Sequence, residues 1–417
     1  MLKIRLYGDP ESPNLYLIRD FLRRSNVEFQ GVDTTNPASL AAADISEAQK
    51  NILATPGTSA VQFPDGGWLT DPTVENVAQG LGWLRKPKYE LYDVSIYGAG
   101  PAGLSAAVYA ASEGLKAILV ERDAIGGQAG TSSLIENYMG FPNGISGADL
   151  AQRGREQVMK FGCEILLLRA GYKAAFSDNR ILVTLNNGDV LAARSNICAT
   201  GIAYRKLGLP GEDKFTNCGL YYGAGASEAN LCKGKTVVVV GGANSAGQAV
   251  SYLSGFADKV LMVVRGPNLS DTMSDYLLQR ITQLPNVELQ FNCQVTALEG
   301  DSRLQRVKIS CEKDNTETWY ETEHLFLCIG GVPHTQWAAE THIRDPQGYL
   351  ITGADLLTQA GFANTWPLQR LPYYLETSVP GSFAAGDVRY NSVKRVAAAV
   401  GEGAMAVTFV HKYLLSL

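Results

Sequence analysis

Two short apolar strands each run straight into a glycine-rich turn and a helix of small residues, a pattern that aims unpaired backbone N–H groups at phosphates. The first, Tyr92-Asp-Val-Ser-Ile-Tyr-Gly98-Ala99-Gly100-Pro101-Ala102-Gly103, is a complete GxGxxG. Gly98 permits the tight turn, Gly100 lets the backbone approach a pyrophosphate, and Gly103 lets helix and strand close on each other. The next apolar strand, Ala117 to Val120, ends in Glu121 and Arg122, and the Glu121 carboxylate can accept hydrogen bonds from ribose hydroxyls. The second copy, Lys235-Thr-Val-Val-Val-Val240-Gly241-Gly242-Ala243-Asn244-Ser245-Ala246, keeps the strand and the first glycine and has alanine at the other two positions. Ala246 is a tolerated variant, whereas Ala243 puts a methyl where a phosphate lies close. Its ribose-side strand, Lys259 to Val264, ends in Arg265 in place of an acid. That favours a 2′-phosphate, hence NADPH over NADH, against the plainer reading of a solvated strand-end arginine.

These turns have to be held by more than one core. The chain has 417 residues, 46% hydrophobic and 18% charged, enough for two or three domains. A formal net charge of −5 argues against nucleic acid as the main partner. The N-terminus turns polar before a signal-peptide core forms, and the apolar run from Val396 to Val410 is interrupted by Glu402, so neither a leader nor a membrane span is expected and the cytoplasm is the expected compartment. The seven cysteines are scattered, contain no C-x-x-C and form no metal-like cluster with the four histidines. They are expected to be reduced, buried thiols, with no disulfide framework and no metal site.

Residues 1–86 form a separate α/β unit: strand Lys3 to Tyr7, helix Asn14 to Arg24, strand Val27 to Asp33, a strand and hairpin from Thr58 to Leu69, and a closing helix Val74 to Leu81. Lys86-Pro-Lys-Tyr-Glu90 is a polar linker. The order β-α-β-(α)-β-β-α, with Pro56 ahead of the third strand, resembles a glutaredoxin or thioredoxin-like domain. In that family a Cys-Pro-x-Cys pair opens the first helix. Here Ser12-Pro13-Asn14-Leu15 stands instead, so dithiol exchange from this domain is excluded and a docking or dimer-stabilising role is expected.

With the two glycine turns and the segments Gly126-Gly127-Gln128, Cys198-Ala199-Thr200-Gly201 and Gly386-Asp387, the rest of the chain, 91–417, resembles thioredoxin reductase and its low-molecular-weight flavoprotein relatives. Gly126-Gly127-Gln128-Ala129 with Thr131, and Ile135-Glu136-Asn137-Tyr138 with Gly140-Phe141-Pro142, are similar to that family's segments beside the flavin ring. Cys198-Ala199-Thr200-Gly201 is similar to its A-T-G strand end. Phe383-Ala384-Ala385-Gly386-Asp387-Val388 is similar to its G-D motif, whose aspartate binds the ribityl chain, and Lys394-Arg395-Val396 opens the helix that faces the flavin pyrimidine edge. The resemblance implies an α/β protein with two Rossmann-like (three-layer ββα) nucleotide-binding domains beside the small N-terminal one. FAD is expected on a discontinuous domain, 91–206 and 335–417, and NADPH, with NADH or no nicotinamide as alternatives, on 207–334. A homodimer is implied, with the turn-rich crossings at Gly208 to Asp213 and Gly330 to Pro333 as hinges.

Thioredoxin reductases carry a C-A-T-C relay just before the nicotinamide strand. Counted back from Gly241, the corresponding residues are Ala224-Gly225-Ala226-Ser227, so the relay is absent. The family's following acid corresponds to Glu228, either a proton shuttle or, by preference, an ordinary helix charge. No catalytic residue is identifiable. The expected activity is an FAD-dependent NAD(P)H oxidoreductase passing electrons directly to a small-molecule or protein acceptor. A nicotinamide-independent flavoprotein and a non-catalytic flavin-binding sensor are the competing readings.

Overall fold

The structure, a computed structural model, describes residues 3–177, 179–223 and 226–417. It contains two compact units, one of Met1–Leu81, Thr131–Leu134 and Tyr204–Gly330, the other of Gly82–Gly130, Ile135–Ala203 and Gly331–Leu417.

In the first unit the N-terminal segment builds a mixed four-stranded sheet in the order Phe29–Asp33, Ile4–Gly8, Ala60–Gln62, Trp68–Thr70. The first two strands pair in parallel, and Ala60–Gln62 runs antiparallel to both its neighbours. The helix Pro13–Arg24 starts where it does because Ser12 caps it, accepting from the Leu15 N–H, and because proline at the first turn has no N–H to lose. Leu15, Ile18, Phe21 and Leu22 form its buried stripe, each contributing about 1.5–3 kcal/mol by leaving water.

The remainder of this unit carries a five-stranded parallel sheet, ordered Leu220–Tyr222, His324–Leu327, Thr236–Val240, Lys259–Val264, Val287–Phe291. Its valine-rich strands are covered on both faces, as continuous apolar runs require. An antiparallel meander follows, Cys293–Glu299, Arg306–Cys311, Thr316–Glu321. Cys293 and Cys311 stand directly opposite in its register and are joined by a disulfide, with their Cα atoms 4.1 Å apart. This corrects the expectation that every cysteine is a free thiol. A sequence separation of 18 carries no pairing signal, whereas strand register brings the two together.

The second unit is organised on a sheet ordered Glu164–Leu167, Ala117–Glu121, Tyr92–Tyr97, Val190–Cys198, Arg180–Leu185, Gly171–Ser177, with Ser382–Ala384 added in parallel beside the end of Val190–Cys198. Helix Pro101–Ser112 is apolar almost all round because helix Val396–Leu414 covers the side turned away from the sheet. The two pack backbone to backbone: a Cβ on Gly403 would lie 2.1 Å from the Ala102 carbonyl oxygen. Ser105 Oγ donates to the Val400 carbonyl across the same seam at 2.7 Å. Among the described residues no helix is long and apolar enough to cross a membrane.

Candidate functional site

The first glycine turn is assembled by contacts that tolerate no side chain. Gly98 has φ +99°, and a Cβ there would stand 2.4 Å from the Ala199 carbonyl oxygen. A Cβ on Gly103 would stand 1.8 Å from the Gly98 carbonyl oxygen, which is the close helix-to-strand packing that the third glycine permits. Gly100 differs. A Cβ on it would meet nothing nearer than the Gly127 Cα at 3.9 Å, so the space above it is open for a ligand. Glu121 is buried and accepts from the Ala99 N–H at 2.6 Å and the Asp123 N–H at 2.8 Å. Its carboxylate thus braces the turn from the neighbouring strand end.

Other expected residues converge here. Gly127 comes within 3.1 Å of the Gly100 Cα as measured from a Cβ built on it, and Gly126 donates to the Ala99 carbonyl at 2.8 Å. Gln128 donates to the Ile202 carbonyl at 2.8 Å, and Ala129 opens a short 3-10 turn. Thr200 Oγ1 is buried and has no hydrogen-bond partner among the described residues, an orphan that a bound group would satisfy. Gly201 has φ +62° and open space beside it. From the C-terminal segment, Gly386 lies against Ala102, to whose Cβ a built Cβ would come within 2.9 Å.

Asp387 follows in a 3-10 turn, its carboxyl pushed up by burial and pulled back by Lys394. Lys394 Nζ donates to the Asp387 carbonyl at 3.1 Å. Asp387 does not cap helix Val396–Leu414: Arg395 stands at the cap, and among the described residues neither that N-terminus nor the N-terminus of Pro101–Ser112 has a side-chain cap hydrogen bond. Two open helix N-termini, a glycine cradle and an orphaned hydroxyl are the features a dinucleotide with a pyrophosphate requires, and the residues present fit FAD. Arg122, Asn137, Lys394 and Arg395 are exposed.

Sequence reasoning missed Glu402 as a site residue. It accepts from the Gly386 N–H at 2.7 Å and from Arg389 at 2.5 Å, fixing the turn that carries Asp387. Its signal was a carboxylate in the middle of an otherwise small and apolar helix, which is costly unless paired.

The second glycine turn keeps the same logic with fewer glycines. Gly241 has φ +143°, and its built Cβ would lie 2.4 Å from the Cys328 carbonyl oxygen and 3.1 Å from the Ala246 Cβ. Ala243 sits at the cap of helix Asn244–Leu253 with extended backbone, exposed, with no side-chain cap. The Asn244 side chain accepts from the Ser274 N–H at 2.7 Å, and the Gly242 carbonyl accepts from Thr272 at 2.6 Å, so both are engaged by the segment after the next strand. Ser245 is exposed. Arg265 is exposed one residue beyond Lys259–Val264, whose Val263 pairs with Val240 just before the turn. Arg265 thus stands at the strand end that, in a dinucleotide-binding fold, lies beside the ribose.

Ala224 and Gly225, half of the segment corresponding to the relay dithiol, lie outside the described residues; Ala226 and Ser227 open helix Ala226–Ala229. Glu228 is not the ordinary helix charge expected of it. It is 3% exposed, accepts from the Tyr16 hydroxyl at 2.5 Å, and burial pushes its carboxyl up to about 7. Cys232 is fully buried, its thiol pushed up to about 12 by burial, with Glu228 adding to the effect. Cys218 is half-buried and also raised, mainly by burial. High thiol values of this kind suppress the thiolate that exchange chemistry needs.

The family model described as "Pyridine nucleotide-disulphide oxidoreductase" matches residues 92–403. A thioredoxin reductase of Listeria innocua is 32% identical over 330 residues, covering 79% of this chain and 95% of that protein. Thioredoxin reductase 1 of Saccharomyces cerevisiae is 33% identical over 339 residues, covering 78% and 98%. The solved Lactococcus lactis thioredoxin reductase superposes with a TM-score of 0.69 at 27% identity, covering 78% of this chain and 100% of its own. That of T. acidophilum gives 0.69 at 28%, covering 79% and 99%. With two glycine turns built for dinucleotides and this extent of likeness, the chain belongs to the pyridine nucleotide-disulphide oxidoreductase family, as a thioredoxin reductase-like, FAD-dependent NAD(P)H oxidoreductase.

Proposed function

We propose that this enzyme passes electrons from NADPH through FAD directly to an acceptor, with no dithiol between flavin and acceptor. The observation that carries the reading is chemical: residues 224–227 contain no sulfur, and the flanking thiols, Cys218 and Cys232, are raised in pKa by burial. FAD, when bound, would accept the two electrons of the nicotinamide's hydride, and both would leave to the acceptor, together or one at a time.

The chain's own residues then bind and orient. On this reading the FAD domain is 91–206 with 335–417, and the nicotinamide domain is 207–334. Gly98, Gly100, Gly103 and Glu121 would hold the adenosine diphosphate half, Thr200 and Asp387 the remainder, and the N-terminus of Val396–Leu414 would favour negative charge on the reduced ring. Arg265 would select the 2′-phosphate. Residues 1–86 are a thioredoxin-like domain without its cysteines, supported by the strand order and pairing directions described above. The active form is a homodimer.

A Cys218→Ser/Cys232→Ser variant tests this. Its NADPH consumption with a small quinone as acceptor is expected within about twofold of wild type. A loss of tenfold or more would assign the electrons to a thiol route.

A further inference from the structure

Helix Pro13–Arg24 and helix Ala226–Ala229 meet within one compact unit. At their contact Tyr16 donates its hydroxyl hydrogen to Glu228 at 2.5 Å, and the Tyr16 ring lies against Tyr221 with centroids 5.3 Å apart. The Arg19 guanidinium packs over Tyr16 at 5.8 Å within the field of Glu228. At the rim Glu11 forms an ion pair with Arg303 and stands 3.8 Å from Lys235.

The positions of these residues matter as much as their bonds. Tyr16 immediately follows Ser12-Pro13-Asn14-Leu15, where a thioredoxin-like domain would carry its Cys-Pro-x-Cys. Glu228 immediately follows residues 224–227, where a relay enzyme would carry its dithiol. Thiol–disulfide exchange needs sulfur to attack sulfur, so a relay dithiol and the disulfide it reduces must come face to face. In this chain the sulfur-free counterparts of both motifs are each one residue from the same hydrogen bond.

We infer that the N-terminal segment is a tethered stand-in for thioredoxin: it occupies the thioredoxin-docking face of the nicotinamide-binding part and denies that face to any free thioredoxin. The inference rests on the thioredoxin-like reading of residues 1–86 and is independent of how electrons leave the flavin. A covalently linked occupant competes at an effective concentration of about millimolar, above what a free protein of ordinary abundance reaches.

The test uses the full-length holoprotein. Amide exchange is followed in 15–24 and 226–232, and binding of oxidised thioredoxin is measured by calorimetry. Glu11→Arg sets a cation against Arg303 and Lys235, and Tyr16→Ala opens the same contact from its buried side. Each is expected to speed exchange in both segments at least tenfold and to make thioredoxin binding measurable where wild type shows none. Glu11→Arg/Arg303→Glu is expected to return both readouts to within about twofold of wild type, which a general loss of folding would not allow. Unchanged exchange in the single variants, failure of the charge swap to restore it, or thioredoxin binding that is the same in wild type and loosened variants would overturn the inference. NADPH consumption with a small quinone, measured alongside, reports separately on direct transfer from the flavin.

Discussion

At the scale of single residues, the first glycine turn separates folding from binding. Gly103→Ala would drive a methyl into the Gly98 carbonyl and is expected to cost more than about 4 kcal/mol, seen as loss of folded protein. Gly100→Ala meets only open space at an ordinary φ of −73°, so its apo stability is expected to change by less than about 1 kcal/mol. Its FAD affinity is expected to fall at least tenfold, read from flavin content after dialysis, because the methyl takes the place of a phosphate oxygen. The packing role of Gly103 was legible in the spacing of the glycines, and the same spacing assigns Gly100 to a phosphate. The role of Glu228 was not, because its partner lies 212 residues away in the sequence. Nothing local distinguishes a buried, hydrogen-bonded glutamate in a short helix from a solvated one.

Glu228 also gives a pH dependence whose sign can be worked out. Burial raises its carboxyl from the ordinary 4.5 to about 7, with the Tyr16 hydrogen bond opposing the shift and Asp20 reinforcing it. Below pH 4.5 both folded and unfolded chains hold the proton and the group is neutral to stability. Between 4.5 and 7 only the folded chain holds it, so stability falls as pH rises, by on the order of 3 kcal/mol in total, and levels off above 7. Glu228→Gln is expected to remove this slope. Urea unfolding of both proteins at pH 5 and 7.5 checks it, since the difference between them isolates this one group.

At the scale of elements, strands and helices with strong periodicity were readable and strand register was not. The strand–turn–helix pairs at Gly98 and Gly241 lie where the sequence places them, because an apolar strand followed by glycine and small residues has few other solutions. The Cys293–Cys311 disulfide depends on how Cys293–Glu299 pairs with Arg306–Cys311, which no local pattern specifies. Its closed loop corresponds to about 3 kcal/mol, so Cys293→Ser/Cys311→Ser is expected to lower the urea midpoint accordingly while leaving NADPH turnover in place. At the end of Lys259–Val264, Arg265 is expected to supply one charge-assisted contact, about 1.5–3 kcal/mol. Arg265→Ala should therefore raise KM for NADPH about tenfold to a hundredfold and leave KM for NADH almost unchanged. Equal effects on the two nucleotides would assign Arg265 to structure.

At the scale of the whole molecule, two dinucleotide-binding sheets were visible from their paired signatures, and the N-terminal strands and helices from their periodicity. What could not be seen was that the N-terminal segment packs into the same compact unit as residues 204–330. The contacts that join them, Tyr16 to Glu228 and Glu11 to Arg303, are made by residues that would be unremarkable on any surface. On the proposed reading they take their meaning from the segments they adjoin, 12–15 and 224–227, neither of which contains sulfur.

Direct transfer from the flavin is tested most plainly by anaerobic titration of the holoprotein with NADPH, in the Cys293→Ser/Cys311→Ser background so that the structural disulfide cannot contribute thiols. The account predicts that one equivalent of NADPH bleaches the flavin completely and that no new thiol forms. Consumption of a second equivalent with two new thiols per flavin would contradict it.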